Sequence, residues 1–366
     1  MKNVRDLLRL STVPLIGHLK IRALVGHFGN PADVFKASPR ELIAIEGISK
    51  KIASTIAHFE TGEEFASDQL KRVNKVGARI ITFWDKEYPE LLKRIYDPPS
   101  FFFALGKFRE TDRYSIGIVG TRTPSHYGKQ IAETFSKELA SRGIVTISGL
   151  ARGVDTIVHA ATLSAGGRTI AVTGSGLDIP YPQENEKLME KIAQNGVVMS
   201  EVPMGGKPDA ANFPKRNRLI SGLSLGTLII ESAEDGGAMI TASTALDQNR
   251  EVFAVPGNVT EKRSSGPNKL IREGRAKLVT TVDDVLEELE MQLRPILKRG
   301  SRPEAPPPEL TLFERKLFDV MNTEPIHIDA LAEQSGLATS DALVSLLSLE
   351  FKGLVKQLPG KMFLRM

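Results

Sequence analysis

The sequence predicts an α/β fold: a doubly wound parallel sheet, preceded by an all-helical segment and followed by a small helix-and-hairpin segment. Three observations carry this expectation. Between residues 114 and about 290, short near-continuous apolar runs alternate with helix-length amphipathic stretches, as parallel strands covered on both faces do. Residues 1 to about 72 read as helical throughout, with no strand-like run. Residues 310–366 give three helical stretches and then two strand-like ones. At 366 residues, two or three domains are expected.

The first segment, 1–72, has two similar halves. Val13–Leu24 and Ile45–Ala53 each contain a helix end, a tight glycine turn and a helix opening on a Lys-bearing polar face. They resemble a tandem helix-hairpin-helix unit, whose turn N–H groups can hold a DNA phosphate. His18 and Ser49 stand where that pattern usually has a second glycine. Phosphate binding and a scaffold role both stay open. Residues 73–110 read as a connector with strand-like pieces at Ala78–Phe83 and Phe101–Leu105. Phe101, Phe102 and Phe103 admit two readings, base stacking or the edge of a core.

In the central segment, strands are expected at Ser115–Val119, Ile144–Ser148, Thr169–Thr173, Val197–Ser200, Thr227–Glu231, Glu251–Val255 and Ala276–Val279. Helices are expected between them, at Gly128–Arg142, Glu184–Asn195 and Ala238–Asn249 among others. Four runs stand out. Gly120, Thr121 and Arg122 follow the first strand; Gly149, Arg152 and Gly153 follow the second; Gly174 and Gly176 follow the third. The fourth run, Asn212–Arg218, holds Phe213, Lys215, Arg216, Asn217 and Arg218. In an open α/β sheet such loops gather at the carboxyl ends of the strands, where ligands bind. Cations there, beside glycines that let backbone N–H groups approach, suit a phosphate-rich ligand. A solvated basic turn is the bland alternative for 212–218. Mixed with an aromatic ring, the cations fit single-stranded nucleic acid, whose bases stack while its phosphates pair.

Residues 291–309 contain Lys-Arg-Gly-Ser-Arg-Pro-Glu-Ala-Pro-Pro-Pro and read as a Pro-rich linker. Beyond it, helices are expected at Thr311–Met321, Ile328–Ser335 and Thr339–Lys352, then strands at Leu354–Leu358 and Lys361–Leu364. Three helices and a hairpin make a winged helix. Its third helix, the usual reader of a DNA groove, carries Asp341 and Glu350 against only Lys352. A groove reader should be basic there, so a protein-contact or regulatory role is the expectation.

Other chemistries find no support. The turn Gly117–Gly128 lacks Gly-x-Gly-x-x-Gly spacing, and no carboxylate ends the second strand, which argues against NAD or FAD. No Walker-type phosphate loop occurs, and the six histidines form no His-x-x-x-His pair. No cofactor, no metal and no catalytic residue is therefore expected. Asp155 and His159, four apart, admit an acid–base pair or a helix cap with a packed imidazole behind it. Zero cysteines exclude thiol chemistry and agree with a reducing cytoplasm. No run is long and apolar enough to span a membrane. The net charge of +4 is too small to decide for nucleic acid by itself.

Five ordered motifs then find a likeness. Gly120–Gly128, Ser148–Asp155, Gly174–Pro182, Phe213–Ser224 and Val252–Gly257 together resemble the bacterial DNA-processing protein A family (DprA, also called Smf). The resemblance is close over roughly 114–280. It implies an extended Rossmann-like domain over 73–290 that binds single-stranded DNA, forms a homodimer and loads the RecA recombinase during natural transformation, without catalysis. It points to Arg122, Lys215, Arg216 and Arg218 as the DNA contacts, with Gly149, Arg152 and Gly153 lining the neighbouring loop. The alternative is a nucleotide-processing hydrolase of phosphoribohydrolase type, with Glu231 as its acid.

Overall fold

The computed structural model describes residues 3–297, 310–322, 324–352 and 354–365. The chain falls into two compact units, divided between residues 298 and 299.

A nine-stranded sheet organises the first unit. Its strands are β1 (Arg79–Thr82), β2 (Phe101–Gly106), β3 (Ser115–Val119), β4 (Val145–Ser148), β5 (Thr169–Val172), β6 (Val197–Ser200), β7 (Gly226–Ile229), β8 (Glu251–Ala254) and β9 (Lys277–Leu278). Their order across the sheet is β1-β2-β6-β5-β4-β3-β7-β8-β9. From β6 to β9 all pairings are parallel, whereas β2 runs antiparallel to both of its neighbours. The fold is thus the expected doubly wound, mostly parallel sheet, and the two strand-like pieces of the supposed connector extend it at one edge.

The three phenylalanines of β2 belong to the core. Phe101 and Phe103 pack with the amino-terminal helices, while Phe102 sits in the cluster on the opposite face. That alternation is the period of two of a strand covered on both sides. One face carries the amino-terminal helices together with His126–Ser141, Val154–Ser164 and Glu186–Asn195; the other carries Asn212–Leu223 and Gly237–Asp247.

Residues 4–76 form six helices. Leu7, Leu24, Leu42 and Ile52 share a single cluster with Phe103, Ile192 and Val198 of the sheet and its helix. The two departures from the hairpin pattern have local causes. Ser49 caps the helix Lys50–Ala57, its Oγ accepting from Ile52 N–H at 3.3 Å. His18 turns inward: Ser100 N–H donates to its Nδ1 at 3.1 Å, and its ring meets Phe101 edge-on at 6.0 Å. Burial, with Arg218 and Arg22 nearby, lowers its pKa to about 4, so the imidazole is neutral near pH 7.

The helix Glu290–Leu297 occupies the start of the stretch read as a linker, because Leu293 completes the core beneath Leu289 and Leu286. The remaining linker residues, 298–309, lie outside the described residues.

In the second unit the helices are Leu312–Val320, Ile328–Ser335 and Thr339–Phe351. Strands β10 (Ile326–His327), β11 (Val355–Leu358) and β12 (Met362–Arg365) pair in the order β10-β12-β11. Leu317, Leu331, Leu346, Leu349 and Phe363 form its own core. Lys352 is held internally: its Nζ donates to Glu314 Oε1 and Oε2 at 2.7 and 2.8 Å. Among the described residues of both units, no helix is long and apolar enough to cross a membrane.

Candidate nucleic-acid interface

Strand order reverses between β3 and β7, because the chain winds from β3 out to β6 and then returns to the other side of β3. A crevice at the carboxyl ends of the strands is expected at such a point. A cleft of about 320 Å³ opens there, lined by Gly120, Thr121, Arg122, Asp155, Phe213, Arg216, Asn217, Ser232, Gly236 and Gly237. The helices Val154–Ser164, Asn212–Leu223 and Gly237–Asp247 begin at its wall, and none has a side-chain cap. Their first N–H groups give the cleft a positive partial charge.

The basic run is the amino-terminal half of the helix Asn212–Leu223, not a turn. Leu219, Ile220 and Leu223 anchor that helix on the sheet, and Pro214 fits in its first turn, where no N–H partner is needed. The helix divides the rim. On its far side lies a second cleft of about 520 Å³, lined by His18, Thr173, Glu201, Asn212, Lys215 and Arg218 among others, and Arg216 borders both.

The five candidate cations behave differently. Arg122 and Lys215 are exposed. The Arg122 guanidinium lies 5.4 Å from the Phe213 ring centre, and Tyr181 tilts against the same ring at 5.9 Å. Arg216 is buried; its Nη1 donates to the Gly149 and Val172 carbonyls and its Nε to Asn217 Oδ1 at 3.1 Å. Burial lowers its pKa to about 10, although Asp155 opposes the shift, so it remains charged. Arg218 was expected to be an open strand-end cation and is not: Nη2 meets Glu201 at 2.5 Å, Nε meets Asp97 at 3.2 Å, and Nη1 donates to the Asp97 carbonyl at 2.9 Å. Arg152 is likewise paired. It is exposed but paired through two bonds to Glu184, over a separate hollow with Tyr181.

The glycines also serve a purpose within the protein itself. They make room for protein. A Cβ on Gly149 would stand 2.5–2.7 Å from the Arg216 guanidinium, so that buried cation requires glycine beneath it. Gly153 has φ +79° and abuts Arg122, which locks the second loop against the first. Gly120 faces Val154, Gly174 faces Phe213 and Gly176 faces the Pro203 carbonyl. Thr121 joins the same lattice: its N–H donates to the Glu231 carbonyl at 2.7 Å and its own carbonyl accepts from Val154 N–H at 3.2 Å.

Glu231, the candidate acid of the hydrolase reading, is buried and occupied. Its carboxylate accepts from Ser125 N–H at 2.9 Å and from Ser125 Oγ, directly beneath the helix His126–Ser141. Asp155 accepts from the N–H groups of Gly149 (3.1 Å) and Ala151 (3.3 Å), and His159 bonds Thr169 at 2.8 Å. Burial and the nearby Arg216 lower the His159 pKa to about 3. Asp155 thus holds the preceding loop rather than capping the helix, and His159 is a packed imidazole behind it. The sequence reading missed Ser232, Gly236 and Gly237, whose place in the cleft follows from β7 lying beside β3. It also missed the counter-charges Asp97, Glu184 and Glu201. They come from three separate segments, and no local pattern marks them.

Comparison with known proteins follows the same lines. The model of the family described as DNA recombination-mediator protein A matches residues 79–290. A DprA winged helix domain matches 301–361, and a SAM-like helix-hairpin-helix tandem matches 7–58. Protein Smf of Synechocystis sp. is 33% identical over 97% of both chains. DNA processing protein DprA of Bacillus subtilis is 45% identical over 60% of this chain and 74% of its own. Among solved structures, DNA processing protein A from Streptococcus pneumoniae superposes with a TM-score of 0.68 at 32% identity, covering 79% of this chain and 99% of that one. The Helicobacter pylori protein, described for its single-stranded DNA binding mode, gives 0.53 at 31% identity, covering 58% and 97%.

Proposed function

The chain belongs to the DNA recombination-mediator protein A family, and from that premise we propose that it binds single-stranded DNA at the carboxyl rim of its sheet without breaking bonds in it. One observation carries the reading: exposed Arg122 lies 5.4 Å from the Phe213 ring in the first cleft, where three uncapped helices begin, and exposed Lys215 lines the second cleft across the same helix. Phosphates pair with the two cations and the helix N–H groups, and a base leans on the aromatic ring. Release of condensed counterions favours the complex and makes it salt-sensitive.

Within this reading Arg216 positions rather than contacts, because its guanidinium faces carbonyls of two loops. Arg218 holds the second cleft together. The wider role, by the family resemblance, is a homodimer that protects the strand and delivers it to a RecA-type recombinase in the cytoplasm.

The test is a salt titration of oligonucleotide binding. Arg122→Ala and Lys215→Ala should each weaken binding evenly across sequences and reduce the log–log salt slope by about one contact. Wild-type affinity and slope in both variants would sink the assignment. Stimulation of recombinase assembly on the coated strand tests the wider role separately.

A further inference from the structure

A cavity of about 290 Å³ lies at the opposite end of the sheet from the first cleft. It opens beside the amino ends of β3 and β5, between residues 86–93 and 108–113. Its floor is Ile170 at the start of β5 and Leu223 at the end of the helix Asn212–Leu223. The volume is close to the lower end of small-molecule sites, roughly 300 Å³. Leu91, Phe108, Ile170, Leu223 and the ring of the buried Tyr88 give it apolar walls. Phe108 is steadied edge-on against Phe102, the ring centres 5.9 Å apart. A flat ring finds a firm surface there.

Four cations and four carboxylates line the cavity, but the carboxylates are already matched. Arg79 bonds Glu87 at 2.7 and 2.8 Å, Arg168 bonds Asp112 at 2.5 and 2.9 Å, and Arg94 meets Glu90 at 3.5 Å. None of these three arginines lines the cavity. Arg113, which does, leans towards Glu110 at 3.8 Å. Lys86, Lys93 and Arg109 have no carboxylate partner among the described residues. Lys93 instead holds its ammonium over the rings of Phe83 and Tyr88, at 5.7 and 5.8 Å. Three positive charges are thus left unanswered beside an apolar wall. We propose that this cavity binds a small aromatic phosphomonoester, its ring against Phe108 and Leu223 and its phosphate among Lys86, Lys93 and Arg109. Such a group carries close to two negative charges near neutral pH, so it answers three cations better than a carboxylate does. A DNA strand does not suit the place, because its flanking phosphates would pass Glu87, Glu90 and Glu110, all exposed. The site is independent of the DNA reading.

The probe is α-naphthyl phosphate, which joins a flat ring to a phosphate and whose fluorescence reports its burial. The full-length protein should bind it at least about tenfold more tightly than α-naphthol or inorganic phosphate, each of which offers only one half. Arg109→Glu, at an exposed position, and Lys93→Met, which keeps the stem beside Tyr88, should each weaken binding by about tenfold. Their circular dichroism spectra should match the wild type. Arg122→Ala and saturating single-stranded oligonucleotide should leave probe binding unchanged, which separates this cavity from the rim. Naphthol binding as tightly as its phosphate, or wild-type affinity in either Arg109→Glu or Lys93→Met, overturns the proposal. Displacement by oligonucleotide, loss in Arg122→Ala, or no binding at millimolar probe overturns it equally.

Discussion

Arg218 and Arg122 sit near the same rim yet answer to different forces. Arg218 is held by Asp97 and Glu201, and burial pushes the Glu201 pKa up while Arg218 opposes that shift. Removing the guanidinium leaves the buried Glu201 carboxylate without a cation, with only the neutral His18 ring 3.4 Å away. Arg218→Ala should therefore cost on the order of 3 kcal/mol in unfolding free energy, the low end for breaking a buried pair. Arg122→Ala should leave stability within about 0.5 kcal/mol, as surface changes do. Urea unfolding of the two variants separates these outcomes. The sequence displays the cations and the aromatic beside them. Which cations are free depends on Asp97, Glu184 and Glu201, carboxylates that only the folded sheet brings near, so that distinction was not legible. The glycines illustrate the same limit: the motif spacing is visible, but the guanidinium above Gly149 is not.

Among elements, the strands were the most legible, because a strand covered on both faces is a continuous apolar run. Ser115–Val119 and Val197–Ser200 lie where the sequence reading put them. The helix Asn212–Leu223 was not legible as a helix. Six of its first seven residues are polar, basic or proline, and its apolar anchor begins only at Leu219. Helix Leu312–Val320 supports a prediction of its own. Burial alone would raise the Glu314 pKa, but hydrogen bonds from Lys352, Ser348 and Thr311 outweigh it and hold the value at about 2. The folded carboxylate is thus more acidic than the unfolded one. Its contribution is full above the ordinary carboxylate range and fades as pH falls through that range towards about 2. Thermal melting of the winged-helix unit should drop steeply between about pH 4.5 and 2, and Lys352→Met should flatten that drop. A melting temperature independent of pH over this interval would refute the assignment.

At the level of the whole molecule, the two units have separate cores, whereas the amino-terminal helices and the sheet have a common one. Calorimetry should accordingly resolve two transitions, with residues 4–76 melting in the larger one. A third transition assigned to the first 76 residues by proteolysis or site-specific labelling would contradict a common core. Composition and the proline-rich stretch made the division near residue 298 legible. They gave no sign that the amino-terminal segment is fused to the sheet, since its helices read as self-sufficient.

That fusion has a practical meaning for anyone dissecting the protein. A fragment starting near residue 73 would leave the outer rings of β2, Phe101 and Phe103, without their roof. Such a piece should clump during expression however intact its ligand-binding rim. A cut beyond Leu297 falls at the division between the two compact units, and it is there that tags and fusions belong.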